Sequence, residues 1–300
     1  MNLFNKVKRS AWLAAVLAMA TTTSACAANN GLMEQLSSAQ VIELNHVWDA
    51  NSPLLSFNPP YTMGMVDSHK DTAGMIPELS FAADMMYFSG QHGAPNIDAI
   101  GHIGHNGQAF GGISTEEIEG ARGLKSLGIE EYPTERLLNR AVLLDVARYK
   151  GVDHLAPGYE ITVQDLEETA KAQKVTIEAG MSVLIRTGFG QFFNDDAQKY
   201  MGLRPGPGAQ AATWLAQKDI FLTGADQLSY EVVPESGTIF PAHRILLADN
   251  GIYIVENMNL EALSAALASA KNFEFMLVMN PPRVRGATGM AVNSFAILPK

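Results

Sequence analysis

The chain has 300 residues, of which 47% are hydrophobic and 17% are charged. This composition is typical of a folded protein with a sizeable core, and it excludes a disordered, collagen-like or coiled-coil chain. The formal net charge of −10 argues against a nucleic acid partner, because binding to backbone phosphates requires a basic surface. The single cysteine excludes an intrachain disulfide and a cysteine-built zinc site.

The beginning of the chain is typical of a secretory signal peptide. Residues 6–9 are rich in lysine and arginine, residues 11–20 are apolar, and small residues surround Cys26 as at a cleavage site. We therefore expect residues 1–27 to be removed, residues 28–300 to form a single domain, and the protein to be periplasmic or secreted. Two alternatives stay open: an uncleaved anchor, for which the apolar run is short, and a membrane-attached lipoprotein modified at Cys26.

Patterns of strands and helices alternate along the rest of the chain. Short apolar runs and period-two alternation predict strands at 41–48, 81–88, 141–147, 181–186, 220–223, 252–255 and 273–279. Helices are predicted after Thr162, which has the pattern of an N-cap, and over 210–217 and 260–271. The alternation favours a single α/β domain, and neighbouring strands without an intervening helix indicate a mixed sheet.

The segment 90–112, with the sequence GQHGAPNIDAIGHIGHNGQAFGG, concentrates the side chains that could carry chemistry. Its seven glycines predict a loop rather than a long helix. Histidine nitrogens and carboxylate oxygens both bind Zn²⁺ or Mn²⁺. An alternative is a set of polar surface residues in a glycine-rich turn, but the clustering favours a site. The candidates are His92, Asn96, Asp98, His102 and His105.

Further ligands must come from elsewhere in the chain. His243 begins a predicted helix that ends at the Asn250-Gly251 turn, and Glu256 ends the strand that follows. This helix–turn–strand unit could bring His243 and Glu256 to one point. Alternatively, His243 caps a helix and Glu256 is solvated. His46, in the first predicted strand, could also face the site.

Together these segments resemble the cyclase family of metal-dependent hydrolases, which includes bacterial kynurenine formamidase and isatin hydrolase. The family signature is His-x-Gly-Thr-His-x-Asp-x-x-x-His. His92 matches its first histidine, Asp98 its aspartate and His102 its last histidine. Ala94-Pro95-Asn96 stands where the family has Gly-Thr-His, so that an amide occupies the position of the middle histidine. An amide oxygen is a weaker ligand than an imidazole for these metals.

The resemblance extends over nearly the whole chain and implies a fold and a site. The implied fold is an α/β domain with a mixed, barrel-like central sheet and flanking helices, usually paired into a homodimer or homotetramer. The implied catalytic acid/base is His102. The implied ligands of a divalent metal, Zn²⁺ or Mn²⁺, are His92, Asn96 at the middle position, Asp98, His243 and Glu256.

The implied reaction is hydrolysis of an amide, formamide or lactam C–N bond by a water that the metal activates. His102 would pass the proton of the water to the leaving nitrogen. The partner would be a small molecule, an aromatic or cyclic amide. Phe57 and Tyr61 could line a pocket for its ring, and His105 could orient His102 or contact the substrate. The alternative is a noncatalytic periplasmic protein that binds a small molecule on the same scaffold, which the Ala94-Pro95-Asn96 departure favours.

Overall fold

The computed structural model describes residues 31–56, 58–59, 61–87, 89, 95–234, 236 and 240–298. The predicted leader with Cys26, the predicted ligand His92 and the predicted pocket residue Phe57 lie outside the described residues. The chain divides into a large unit, Ile42–Ala296, and a small one made of Met1–Val41 and Ile297–Lys300. In the described part of the small unit, residues 31–38 form a helix, α1.

Most strands of the described chain are short, and the long ones occur where the sequence is most apolar. In chain order the strands are β1 (Gln40–Glu43), β2 (Thr62–Asp67), β3 (Ala83–Tyr87), β4 (Asn96–Asp98), β5 (Gln108–Ala109), β6 (Ile113–Ser114), β7 (Glu119–Gly120), β8 (Gly123–Leu124), β9 (Leu138–Asp145), β10 (Glu160–Ile161), β11 (Ser182–Arg186), β12 (Gly206–Pro207), β13 (Leu222–Ala225), β14 (Tyr253–Glu256), β15 (Glu274–Asn280), β16 (Gly289–Ala291) and β17 (Asn293–Leu298).

The helices lie mainly between the long strands. They are α2 (His69–Thr72), α3 (Thr115–Ile118), α4 (Val146–Tyr149), α5 (Val163–Gln173), α6 (Phe192–Asp195), α7 (Ala197–Met201), α8 (Ala209–Gln217), α9 (Pro241–His243), a π-helix (Arg244–Asp249) that continues α9, and α10 (Glu261–Ala270). Single 3₁₀ turns occur at Ile100–His102, Phe110–Gly112, Ile129–Glu131, Thr134–Arg136 and Phe189–Gln191. Among the described residues, none of these helices is both long enough and apolar enough to span a bilayer.

Nine strands form one sheet in the order β1-β17-β15-β9-β11-β13-β14-β4-β16, which curls into a half-barrel. The four central strands β9, β11, β13 and β14 are parallel, as helices that connect successive strands permit. On either side of them, β15 pairs antiparallel with β9, and β4 pairs antiparallel with β14. The structure therefore confirms the predicted α/β fold with a mixed, barrel-like sheet and flanking helices.

The core lies where the central strands meet the helices. Val142–Leu144 of β9 and Val183–Ile185 of β11 are fully buried on both faces of their strands, which explains why they read as continuous apolar runs. Helix α5 begins as predicted at Thr162, whose hydroxyl accepts the N–H of Asp165 while the Asp165 carboxylate accepts the N–H of Thr162. Such a reciprocal cap stabilises a helix start by about 1 kcal/mol.

Three predicted elements differ from the structure. The first strand ends at Glu43 rather than at residue 48. Strand β9 ends at Asp145, because the Asp145 carboxylate accepts the N–H of Arg148 and so starts α4 where the apolar pattern had predicted two more strand residues. The glycine-rich segment is not entirely a loop, since Asn96–Asp98 form β4, which is fully buried between β14 and β16.

Candidate metal centre

Three ligand-type side chains meet at the edge where the parallel strands end. Asp98, His243 and Glu256 each offer one ligand atom, and these atoms lie within 4.8 Å of one another. The Nε2 atom of His243 is 3.2 Å from Oε1 of Glu256 and 3.4 Å from Oδ2 of Asp98. All three side chains are buried. Sites in α/β sheets are commonly found beyond the carboxyl ends of the strands, as here.

Sheet pairing places the two carboxylates. Glu256 is the last residue of β14, and in the antiparallel register with β4 it lies directly opposite Asn96. Because alternate residues of a strand point to the same face, Asp98 shares a face with Asn96 and therefore with Glu256. The three-residue strand β4 thus delivers a carboxylate and an amide to the same centre, and the intervening Ile97 is buried on the opposite face.

His243 comes from the helical side of the site. It ends α9, and the π-helix that follows buries Ile245–Ala248 against the fold before the chain turns at Asn250-Gly251 into β14. The predicted helix–turn–strand unit therefore brings His243 and Glu256 together, and the alternative of a solvated Glu256 is wrong, since Glu256 is buried. π-Helices are rare and occur frequently at functional sites.

Glu231 fixes the orientation of the His243 ring. One of its carboxylate oxygens accepts a very short hydrogen bond from Nδ1 of His243 and lies 3.3 Å from the backbone nitrogen of the same residue. The other oxygen accepts the backbone N–H of Ala242 at 2.5 Å. With Nδ1–H donated to Glu231, the lone pair of Nε2 is directed at the Asp98 and Glu256 carboxylates.

The electrostatics of the site are dominated by negative charge. Burial alone would lower the pKa of His243, but hydrogen bonds to Asp98, Glu231 and Glu256 outweigh it and raise this pKa well above the ordinary value. The pKa of Glu256 is also raised, by burial and by the neighbouring Asp98. The carboxylates of Asp98, Glu231 and Glu256 surround the buried imidazole of His243. Buried negative charges at this density require a compensating positive charge among them.

This donor set fits a divalent cation. A neutral imidazole whose Nε2 faces two carboxylates places acceptor against acceptor, and only a proton or a cation between them relieves the conflict. One imidazole nitrogen and two carboxylate oxygens are ligands of catalytic Zn²⁺ and also suit Mn²⁺. A carboxylate on the far nitrogen of a metal-binding histidine, as Glu231 is here, is the usual second partner of such a ligand.

Asn96 is turned towards protein groups on both sides. Its amide nitrogen donates to Oε2 of Glu256 at 3.3 Å, and its oxygen accepts the amide N–H of Asn257 at 2.8 Å. The Asn257 oxygen in turn accepts the hydroxyl of Tyr200 at 2.8 Å. In this orientation the oxygen that was predicted to bind a metal is engaged by Asn257. Direct ligation by Asn96 stays a prediction.

A cavity of about 250 Å³ opens beside the centre, and Asp98, His243 and Glu256 contribute to its wall. His102 lines it from the 3₁₀ turn that follows β4, with its ring centroid 6.4 Å from that of His243. The apolar part of the wall consists of Leu55, Ile103, Leu228 and Phe240. The cavity therefore joins the charged centre, a second histidine and an apolar surface.

Phe240 occupies a strained position at this wall. Its φ of 61° lies in the left-handed region, which is unusual for a bulky residue and more so for one that precedes a proline. Its ring packs edge-on against His243 with a centroid distance of 5.3 Å. Such strain tends to occur at functional sites, where surrounding packing holds it in place.

The sequence comparisons agree with this picture. The Cyclase family model matches residues 42–232, well over half of the chain. The chain belongs to the cyclase family.

Solved structures share the fold of this cyclase-family protein. A crystal structure of a novel cyclase has a TM-score of 0.80 and 28% identity, with 88% of each chain covered. Isatin hydrolase A from Labrenzia aggregata, bound to benzyl benzoate, has a TM-score of 0.69 and 18% identity over 91% of this chain and 100% of its own. A structure described as a predicted metal-dependent hydrolase from Bacillus stearothermophilus has a TM-score of 0.58 and 17% identity, covering 87% and 98%. No curated protein matches the chain.

Three other residues that the sequence singled out in this cyclase-family chain lie away from the described cavity wall. The ring of His46 stacks on Phe193 at 4.2 Å, and burial lowers its pKa to about 4. Tyr61 packs against Trp48 and donates to the sulfur of Met63. His105 faces Asp249, with Nδ1 3.4 Å from Oδ1. Their predicted contributions to a substrate pocket or to orienting His102 stay predictions.

Sequence reasoning missed three residues that support the centre of this cyclase-family protein. Glu231 lies in a stretch without a helical or strand pattern, and nothing there marked a partner for His243. Tyr200 and Asn257 support Asn96 from behind. Asn257 directly follows Glu256, so its position near the site was predictable from the sequence. The direction of its side chain was not.

Proposed function

We propose that this cyclase-family protein is a metal-dependent hydrolase that cleaves an amide, formamide or lactam C–N bond of a small aromatic or cyclic substrate. The observation that carries the proposal is the His243 ring, whose Nδ1 is held by Glu231 while Nε2 faces two buried carboxylates. A centre of this composition beside a cavity that holds a second histidine has the parts that metal-assisted hydrolysis requires.

The residues that would hold the metal are Asp98, His243 and Glu256, and the family resemblance adds His92. Zn²⁺ and Mn²⁺ both accept this mixture of nitrogen and oxygen ligands. When bound, the cation would polarise the substrate carbonyl and make water acidic enough to ionise near neutral pH. Glu231 accepts a hydrogen bond from Nδ1 of His243, and this favours the tautomer whose Nε2 lone pair faces the two carboxylates when the cation is bound.

His102 moves the proton in the proposed reaction. It lines the same cavity as Asp98, which lies four residues earlier in the chain, and an imidazole can both accept and donate a proton. One ring nitrogen accepts a proton from the attacking water. The same proton is then donated to the leaving nitrogen. When the C–N bond breaks, the leaving group therefore departs as a neutral amine rather than as an amide anion.

The apolar wall supports an aromatic or cyclic substrate. Leu55, Leu228 and Phe240 would cover the ring and exclude water from the carbonyl. The solved relatives include isatin hydrolases bound to benzyl benzoate and to the product analogue thioisatinate, which are aromatic molecules. We infer that the substrate of this chain belongs to the same chemical class.

The experiment combines metal analysis with a substrate panel. Purified protein should carry or take up Zn²⁺ or Mn²⁺, and it should hydrolyse at least one member of a panel of arylformamides, lactams and cyclic imides. Asp98→Asn should lose both the metal and the activity. Glu178→Gln, which changes an exposed carboxylate, is the matched control and should lose neither. Protein that binds neither cation would contradict the proposal.

A noncatalytic binding protein is the second candidate. The observation that favours it is Asn96, an amide where the family signature has a ligating histidine. It predicts that a panel member binds with equal affinity to the wild-type protein and to Asp98→Asn, without turnover. The predicted export and the predicted homodimer or homotetramer stay predictions from the sequence.

A further inference from the structure

Four buried side chains form one continuous line of hydrogen bonds that ends on the proposed ligand Glu256. Tyr200 donates its hydroxyl to Asn257, Asn257 donates its amide N–H to Asn96, and Asn96 donates its amide N–H to Oε2 of Glu256. Tyr200 and Asn96 are fully buried, and Asn257 and Glu256 nearly so. Each group donates in the same direction, from the phenol to the carboxylate, so the bonds polarise one another.

The direction of this line assigns one role to each oxygen of Glu256. Oε2 is occupied by the amide of Asn96, and Oε1 faces Nε2 of His243. A carboxylate held in this way presents Oε1 to the centre. The phenol of Tyr200 anchors the far end, because its hydroxyl is 2.8 Å from the Asn257 oxygen and farther, at 3.5 Å, from the backbone oxygen of Asp226.

We propose that Asn96 is a positioning residue rather than a metal ligand, and that Tyr200 and Asn257 orient it so that it holds Glu256 in its ligating position. This inference rests on the proposed function, because it concerns the same cation. In this proposal the residue at the middle position of the signature, Asn96, does not bind the cation itself. It affects cation binding by holding the ligand Glu256. The consequence is that a hydroxyl with no contact to the centre, that of Tyr200, sets part of the affinity for the cation.

The test measures cation affinity, which needs no substrate. The full-length protein is titrated with Zn²⁺ or Mn²⁺ alone in competition with a chromophoric chelator. Tyr200→Phe, which removes one oxygen atom, should weaken binding by about tenfold, the lower end of the effect of removing a group that orients a ligand. Asn96→Ala should weaken it by about 10–100-fold. In the Asn96→Ala background, Tyr200→Phe should have no further effect, because the line is already broken.

Tyr230→Phe is the matched control. It removes an equally buried phenol, which bonds the hydroxyl of Thr223 and, among the described residues, makes no hydrogen bond to Glu256. The control should lose thermal stability and keep its affinity for the cation. If Tyr200→Phe behaves like Tyr230→Phe, or if its effect is the same with and without Asn96, the line does not act on the centre and the proposal is wrong.

A second substitution separates positioning from ligation. Zn²⁺, Mn²⁺ and Co²⁺ are titrated into wild-type protein and into Asn96→Asp, which replaces the donating amide nitrogen by a carboxylate oxygen. A positioning Asn96 predicts weaker binding of all three, because Glu256 loses its donor and faces a second carboxylate instead. Binding as tight as that of the wild-type protein or tighter would show that position 96 ligates through an oxygen and would overturn the proposal. Failure of the wild-type protein to bind any of the three cations would instead count against the proposed function.

Discussion

Replacing Glu231 by glutamine tests the source of the His243 orientation. The two oxygens of Glu231 face three N–H groups: the backbone N–H of Ala242 on one oxygen, and Nδ1–H and the backbone N–H of His243 on the other. Glutamine keeps the shape but turns one oxygen into a donor. That donor must then face either the N–H of Ala242 or the ring of His243.

Each of the two arrangements has a definite cost. A donor against the N–H of Ala242 leaves a buried N–H unsatisfied, which costs about 1–3 kcal/mol of stability. A donor against Nδ1 forces the other tautomer and points Nε2–H at the centre, where it blocks a ligand position. We therefore expect Glu231→Gln to lower the affinity for Zn²⁺ or Mn²⁺ by about 10–100-fold.

The assay is a competition titration with a chelator, together with thermal unfolding of the cation-free protein. Asp226→Asn is the control, because Asp226 is also a buried carboxylate that accepts two backbone N–H groups, those of Thr187 and Gly188, without contact to His243. It should change the melting temperature and leave the affinity within about twofold, as expected for independent sites. If Glu231→Gln loses stability but keeps its affinity for the cation, Glu231 does not orient His243.

Three further outcomes are expected. His102→Ala should keep the affinity for the cation and lower turnover of any panel substrate by about 10²–10⁴-fold, and surviving turnover would refute its assignment as the acid/base. His46, whose pKa falls from 6.5 to about 4 on folding, binds fewer protons when folded, so its contribution to stability is present above pH 6.5 and is lost as the pH falls through 4. His46→Phe should remove roughly 3 kcal/mol of this acid dependence, as followed by denaturant unfolding at several pH values, and an unchanged pH profile would show that His46 titrates normally. Leu55→Trp should lower kcat/KM about tenfold by filling the cavity while leaving cation binding unchanged, and an unaltered kcat/KM would place the substrate elsewhere.

Local signals predicted those parts of the site that neighbouring residues determine. The Asn250-Gly251 turn and the apolar runs on either side of it left the meeting of His243 and Glu256 as one of two alternatives, and the family resemblance favoured it. The cap at Thr162 was likewise readable, because both partners lie within four residues. In such cases the pattern and the contact occupy the same short segment.

Long-range pairing determines the rest. The three residues of β4 lie in a glycine-rich segment, which predicted a loop. Their strand conformation depends on pairing with β14 and β16, which are far away in the sequence. The position of Asn96 was visible, but an amide can present either its oxygen or its nitrogen. Which one faces the centre is decided by Asn257 and Glu256. No sequence pattern predicted the role of Glu231, because this role depends on a contact with His243 that forms only in the folded chain.

The distance along the chain between β4 and β14 gives the cation a second consequence. Asn96 and Glu256, which touch across these strands, are 160 residues apart in sequence. An ion held jointly by Asp98 and Glu256 would be a reversible cross-link between these two residues. The chain segment that it closes contains most of the large unit. At 100 times its dissociation constant such an ion adds about 2.7 kcal/mol to the free energy of unfolding. Resistance to proteolysis would then increase with the concentration of free metal. A chelator would lower the stability of the whole domain and would not only abolish the activity of the site.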